Sequence, residues 1–182
     1  MKKAYLFLAT GFEEIEAIAT ADILRRGGVE LVTVSITGDR TVVGLHQLPV
    51  TADILFEEAD CMDGDAFILP GGGPGSHNLN AHEALKKVLV CRYEHRKLIA
   101  AICAAPLVLG GLELLKGKKA ICYPGMEATL TGAILTDQST VTDGNIITGK
   151  GPGFAFDFGL TLLAALHGQE IADNVAGDLL LS

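Results

Sequence analysis

Apolar runs of strand length, each closed by glycine or a turn and followed by a helical stretch, recur along almost the whole chain. No other feature constrains the fold as strongly. Residues 3–9 (KAYLFLA) form one such run, bounded by Thr10-Gly11, as expected of a strand covered on both faces. Residues 13–26 set Ile15, Ile18, Ala19 and Ile23 at helical spacing and stop at Gly27-Gly28. Arg25 and Arg26 fall in the last turn of that helix, where cations complement its dipole. Residues 29–36 are a β-branched second strand, and residues 40–52 predict a short hairpin around Gly44-Leu45. Residues 65–69 read as a third buried strand, ending in the glycine run 70–75, with a helix over 81–96. Residues 98–102 are a fourth strand that runs into Cys103 and a helical segment over 104–115. Residues 119–123 read as another strand, Asp143-Gly144-Asn145 as a turn between two late strands, and 154–166 as an apolar helix halted by Gly168. Such alternation predicts one α/β domain over residues 1–182, with a mostly parallel sheet between two helical layers.

A chain of 182 residues buries roughly 70% of its extended surface, so it needs neither disulfides nor a metal to stay folded. Its 14 basic against 22 acidic residues give a net charge of −8, which disfavours binding to a phosphate backbone. Nucleic acid is therefore not an expected partner. Nor is a membrane, because no apolar stretch reaches the roughly 20 residues of a spanning helix. Met1-Lys2-Lys3 and the run behind it imitate a signal peptide, yet Glu13 and Glu14 follow without a long apolar core or cleavage site. We read that segment as the first strand. Cys61, Cys91, Cys103 and Cys122 form no C-x-x-C pair, and the expectation is reduced thiols in a cytoplasmic protein.

Ligands of open α/β sheets bind beyond the carboxyl ends of the strands. Three informative places fall there: the acidic turn after the first strand, the glycine run after the third, and Cys103 after the fourth. In Ala100-Ala101-Ile102-Cys103-Ala104-Ala105-Pro106, small residues flank a cysteine at a strand-to-helix turn. That is the pattern of a nucleophile elbow, with the sulfur near the amino end of a helix, where a thiolate is favoured. A free cysteine is as often a small buried hydrophobe, and spacing leaves both roles open for Cys103. Cys61, Cys91 and Cys122 lack that setting. The run Gly71-Gly72-Gly73-Pro74-Gly75 fits neither a dinucleotide nor a P-loop fingerprint. It serves either as a plain turn or as a bare backbone whose amide, with the one after Cys103, stabilises an oxyanion. Glu13 and Glu14 are expected to be solvated at the helix start, whereas Glu16 lies on another side and can face the crevice. An ionised Glu16 would raise the Cys103 pKa; a protonated one would stabilise the thiolate by donating a hydrogen bond. His77, His82 and His95 read as exposed, and His46 can reach the crevice or the partner subunit. No metal-ligand spacing occurs among the histidines and cysteines, so no metal is expected.

Gly11-Phe12-Glu13-Glu14-Ile15-Glu16, Leu69-Pro70-Gly71-Gly72, the run around Cys103, and Gly151-Pro152-Gly153 stand in an order that resembles the DJ-1/PfpI superfamily, nearest its DJ-1/ThiJ (YajL-like) branch. The resemblance covers nearly the whole chain. It implies a flavodoxin-like sandwich, a homodimer and no cofactor, with Cys103 as the reactive cysteine, Glu16 as its protonated partner, and Gly72 and Ala104 as amide donors. Its members are described as glyoxalases or deglycases acting on small carbonyls of the methylglyoxal type, as oxidative-stress sensors, and as chaperones. Two positions depart from the pattern. Tyr123 stands where many members place a histidine, and His46 where DJ-1 itself carries arginine. A tyrosine, with a reference pKa of about 10, is a poor base near neutrality. The protease branch has histidine directly after the cysteine, and Ala104 there disfavours proteolysis.

Overall fold

From Ala4 on, every residue of the first strand is buried, and the side chains sort by parity into two separate cores. The structure, a computed structural model, describes residues 1–181. In β1 (Lys3–Leu8), Ala4, Leu6 and Leu8 enter one core and Tyr5 and Phe7 the other. β6 (Ala66–Leu69) and β7 (Leu98–Ile102) repeat this: Ile68, Ala100 and Ile102 point to the first side, and Phe67, Leu69, Ile99 and Ala101 to the second. Such strands survive only with helices on both faces. The first face is covered by α1 (Glu14–Arg26), α5 (Ala155–His167) and α6 (Gln169–Asp178), through Ile23, Leu24, Phe158, Leu162 and Val175. The second is covered by α2 (Gly73–Ala81), α3 (Glu83–Glu94) and α4 (Pro106–Gly111), through Leu79, Leu85, Leu89 and Val108.

The remaining strands are β2 (Glu30–Ser35), β3 (Thr41–Val43), β4 (Pro49–Thr51), β5 (Ile54–Leu55), β8 (Lys119–Ala120), β9 (Ile134–Leu135), β10 (Thr140–Asp143) and β11 (Ile146–Gly149). The main sheet has seven strands in the order β10-β11-β7-β6-β1-β2-β5, all parallel except the β10 edge. This is the flavodoxin-like three-layer sandwich that the alternation and the family resemblance imply. β1, β6 and β7 are central neighbours, so the turns after them converge at one end of the sheet.

Several local expectations change. The glycine run does not stay a loop: α2 starts at Gly73, with Gly72 at φ 88° before it and Pro74 in the first turn, where a missing N–H costs nothing. The helix expected over 81–96 forms as α3, and His82, which is half-buried and whose ring accepts from the Leu85 amide at 3.1 Å, separates it from α2. Residues 119–123 yield only the two-residue β8, which pairs with β9 outside the main sheet. The segment 104–115 contains only the short α4. The hairpin of β3 and β4 forms as expected, with antiparallel register Val42 to Val50. No helix among the described residues is long and apolar enough to cross a membrane.

Candidate active site

Cys103 sits at the carboxyl end of β7 with φ 64°. A left-handed conformation costs a non-glycine residue about 1–2 kcal/mol and persists only where its surroundings hold it. Here the Cys103 N–H donates to the Gly149 carbonyl at 2.9 Å, and its carbonyl accepts from the Tyr123 amide at 2.8 Å. Pinned on both sides, the residue aims its sulfur away from the sheet. The side chain is 8% exposed, and the amides of Gly72 and Ala104 both donate toward the sulfur.

The acidic turn and the glycine turn are laced together beside it. The Glu13 N–H donates to the Gly71 carbonyl at 3.0 Å, and the Gly71 N–H to Glu16 Oε2 at 2.7 Å. Gly71 therefore orients Glu16 and leaves Gly72 as the amide facing the sulfur. A Cβ at Gly71 would lie 2.5 Å from Glu16 Oε2 and 2.6 Å from Cys103 Cβ, so only glycine lets these three groups meet. Glu16 is 0% exposed, and its Oε1 has no hydrogen-bond partner among the described residues.

Burial pushes the Glu16 carboxyl up to about 7, while hydrogen bonds from Cys103 and Gly71 pull the other way. Burial, followed by the charge of Glu16, pushes the Cys103 thiol up to about 12, against the smaller pull of the Gly72 and Ala104 amides. The helix-terminus effect expected from sequence is thus outweighed: α4 begins only at Pro106 and spans six residues. Between those two values the pair keeps one proton and one negative charge. Passing the proton from sulfur to carboxyl leaves that net charge unchanged, and at rest the proton stays on sulfur.

Glu13 and Glu14 are not solvated, contrary to expectation. Glu13 caps α1, its Oε2 accepting from the Glu16 amide at 2.8 Å, and it lines the cleft. Glu14 turns under the β3–β4 hairpin, where Oε1 accepts from the His46 amide at 2.7 Å and Oε2 lies 3.0 Å from His46 Nδ1. Burial pushes Glu14 up, but the hydrogen bonds from His46 and Leu48 outweigh it and hold the carboxyl below its ordinary value. Glu13, Glu14 and His46 each offer one ligand atom within 4.8 Å of the others. The cap and the hairpin already engage those carboxylates, so the cluster acts as the anchor of the hairpin.

These elements enclose a cleft of about 330 Å³, lined by Cys103, Ala104, Gly72, Glu13, His46 and Tyr123 among others. The residues singled out from sequence thus come together: Cys103, Ala104, Gly72, His46 and Tyr123 on the walls, with Glu16 and Gly71 directly behind the sulfur. Sequence reasoning missed Leu45, Met126 and Pro152 as wall residues. Leu45 and Met126 carried no local signal; Pro152 lay in a quoted motif whose role spacing did not reveal. The other thiols lie elsewhere. Cys61 and Cys122 are buried, while Cys91 is half-buried beside Arg92 Nη2 at 3.2 Å.

The sequence model of the DJ-1/PfpI family matches residues 2–165. The chain belongs to the DJ-1/PfpI family. Drosophila melanogaster protein dj-1beta is 34% identical over 183 residues, covering 100% of this chain and 98% of that protein. Arabidopsis thaliana protein DJ-1 homolog B is 37% identical over 182 residues, covering 99% of this chain, which spans only 42% of that longer protein. Among solved structures, the C103A mutant of a Salmonella typhimurium DJ-1 superfamily protein superposes with a TM-score of 0.94 at 40% identity, covering 98% of each chain. DJ-1-like function in general follows from membership. The four segments singled out from sequence each contribute a residue to one cleft of this DJ-1/PfpI chain.

Proposed function

We propose that this DJ-1/PfpI protein is a cofactor-independent thiol enzyme that converts small dicarbonyls of the methylglyoxal type, free or as adducts, to 2-hydroxy acids. The observation that carries the reading is the strained Cys103 turn, with two amides on its sulfur and a fully buried carboxyl behind it, at the wall of a small cleft. As sulfur attacks the aldehyde carbon, the thiol proton passes to Glu16 and the carbonyl π electrons move to oxygen, which the Gly72 and Ala104 amides meet. Protonation gives a hemithioacetal. Removal of the proton on the former aldehyde carbon and its return at the neighbouring carbon convert this to a thioester. Water then cleaves the thioester, restoring the thiol. The sum is dicarbonyl plus water to hydroxy acid, with no oxidant or reductant.

Cys103→Ser is expected to abolish methylglyoxal consumption, and Cys122→Ser to leave it nearly intact; equal losses from both would sink the assignment. A wild-type protein that turns over no dicarbonyl, yet oxidises selectively at Cys103 under peroxide, would make it a sensor. Ile15 and Ile18 on α1, with Leu45 and Leu48 on the hairpin anchored to it, leave apolar surface exposed. That surface supports a homodimer, and the four unpaired cysteines support a reducing, cytoplasmic setting.

A further inference from the structure

We propose that His46, oriented by Glu14, is the general base that activates water to cleave the Cys103 thioester. This inference rests on the dicarbonyl reading above and adds the group that completes its last step. Glu16 is unsuited to that step, being 0% exposed behind the sulfur, whereas hydrolytic water must arrive from the open mouth of the cleft. The His46 side chain lines that mouth and is 66% exposed in the single chain, at the edge of the apolar face of Leu45 and Leu48 proposed above for the homodimer. Of the other wall residues with an exchangeable proton, Glu13 has its carboxylate engaged by the Glu16 amide as the cap of α1, and Tyr123 is a phenol, a poor base near neutrality.

The geometry of His46 is built rather than incidental. The Glu14 side chain is 8% exposed, and its carboxylate accepts from the His46 and Leu48 amides and engages Nδ1 of the ring. Nδ1 on a carboxylate fixes the tautomer that leaves Nε2 with its lone pair free, the same division of labour as in a carboxylate–histidine pair of a hydrolase. The hairpin tip is shaped to allow it. Gly44 lies so close to Glu14 Oε1 that no side chain fits there, Gln47 takes φ 65°, and the Leu45 N–H donates to the Phe12 carbonyl at 2.8 Å. The charged or titratable groups facing the imidazole are Glu14 and Glu13 from α1, with Cys103 and Tyr123 on the other cleft walls. In the step itself, water loses a proton to Nε2 as its oxygen bonds to the thioester carbon. The carbon–sulfur bond then breaks, and the imidazolium proton returns to the departing sulfur or to solvent. His46 would touch the reacting water; Glu14 is a positioning residue.

The test compares wild type with His46→Gln, following methylglyoxal turnover, intact mass, and release of lactohydroxamate by hydroxylamine, which reports a thioester. His46→Gln is expected to lower turnover on the order of 10²-fold while a hydroxylamine-sensitive adduct accumulates on Cys103. Added imidazole is expected to restore turnover, which no purely structural role would allow. Glu14→Gln is expected to weaken the low-pH limb of the turnover profile without blocking adduct formation. Wild-type turnover in His46→Gln, or loss of the adduct itself, would overturn the role of His46 and leave the Cys103 chemistry standing. A wild-type protein that forms no adduct on Cys103 would instead overturn the underlying reading.

Discussion

Replacing Glu16 by glutamine converts the titration of one buried group into a measurable change in how stability depends on pH. The carboxyl is 0% exposed, and burial raises it from 4.5 in a free chain to about 7 in the fold. Between those values the folded protein keeps a proton that the unfolded chain has lost. Stability from this group is therefore fully present below pH 4.5 and falls as pH rises through about 7. The shift of some two and a half units corresponds to about 3 kcal/mol, a large share of the 5–15 kcal/mol that holds a typical domain together. Glu14, Asp53 and Asp65 are held below their ordinary values, so they act in the opposite sense and at lower pH, with their stabilisation lost on acidification below about 4. They are common to both proteins and cancel in the comparison. Glu16→Gln keeps an acceptor for the Gly71 amide and cannot ionise. Urea unfolding from pH 4.5 to 8.5 is expected to show wild type losing about 3 kcal/mol relative to the variant, most of it between pH 5 and 7.5. Parallel curves across that range would refute the raised carboxyl, and with it the proton exchange assigned to the Glu16–Cys103 pair.

Gly71→Ala should cost about 1–3 kcal/mol in urea unfolding and most of the dicarbonyl turnover, because its Cβ would press on Glu16 Oε2, Cys103 Cβ and, at 2.9 Å, the Ile102 carbonyl; wild-type values for both would mean that the close approach is not required. Ile15→Glu/Ile18→Glu places two charges on the exposed apolar face of α1 and should halve the mass seen by sedimentation velocity with little change in melting temperature. A wild type that already sediments as a single chain would refute the proposed homodimer, and an unchanged dimer mass in the variant would move its contact elsewhere.

How much of this was legible in the sequence depended on how local each signal was. Residues 4–9, 66–69 and 98–102 are apolar at every position, and that alone demands helices on both faces; the two cores divide the side chains of β1, β6 and β7 as the demand implies. The Asp143-Gly144-Asn145 turn and the Gly44-Leu45 hairpin were also local and formed where expected. The start of α2 was misread because glycine and proline signal a loop, although proline in a first helical turn signals the opposite. β8 is short because Tyr123 leaves strand geometry to donate its amide to the Cys103 carbonyl, a contact twenty positions back in the chain. β5 and α6 were absent from the sequence reading: the first is two residues long, and the second lies beyond a glycine taken as the end of helical structure.

The carboxylates of Glu13, Glu14 and Glu16 show where local reasoning stops. At 100° per residue they leave α1 in three directions, so distinct surroundings for each were foreseeable from spacing. What fills those surroundings was not. Glu13 finds a partner three residues ahead, a standard cap, whereas Glu14 finds His46 thirty-two residues away and Glu16 finds Gly71 fifty-five residues away. The sign of each group's shift follows from that difference. Glu14 is lowered because a distant hairpin returns with donors aimed at it, and Glu16 is raised because the packed turn around it supplies one amide, one thiol and little else. Two glutamates in the first turn of one helix thus acquire oppositely shifted proton affinities from contacts that only the closed sheet brings together. The same closure places a histidine held by one of them across a small cleft from the cysteine served by the other.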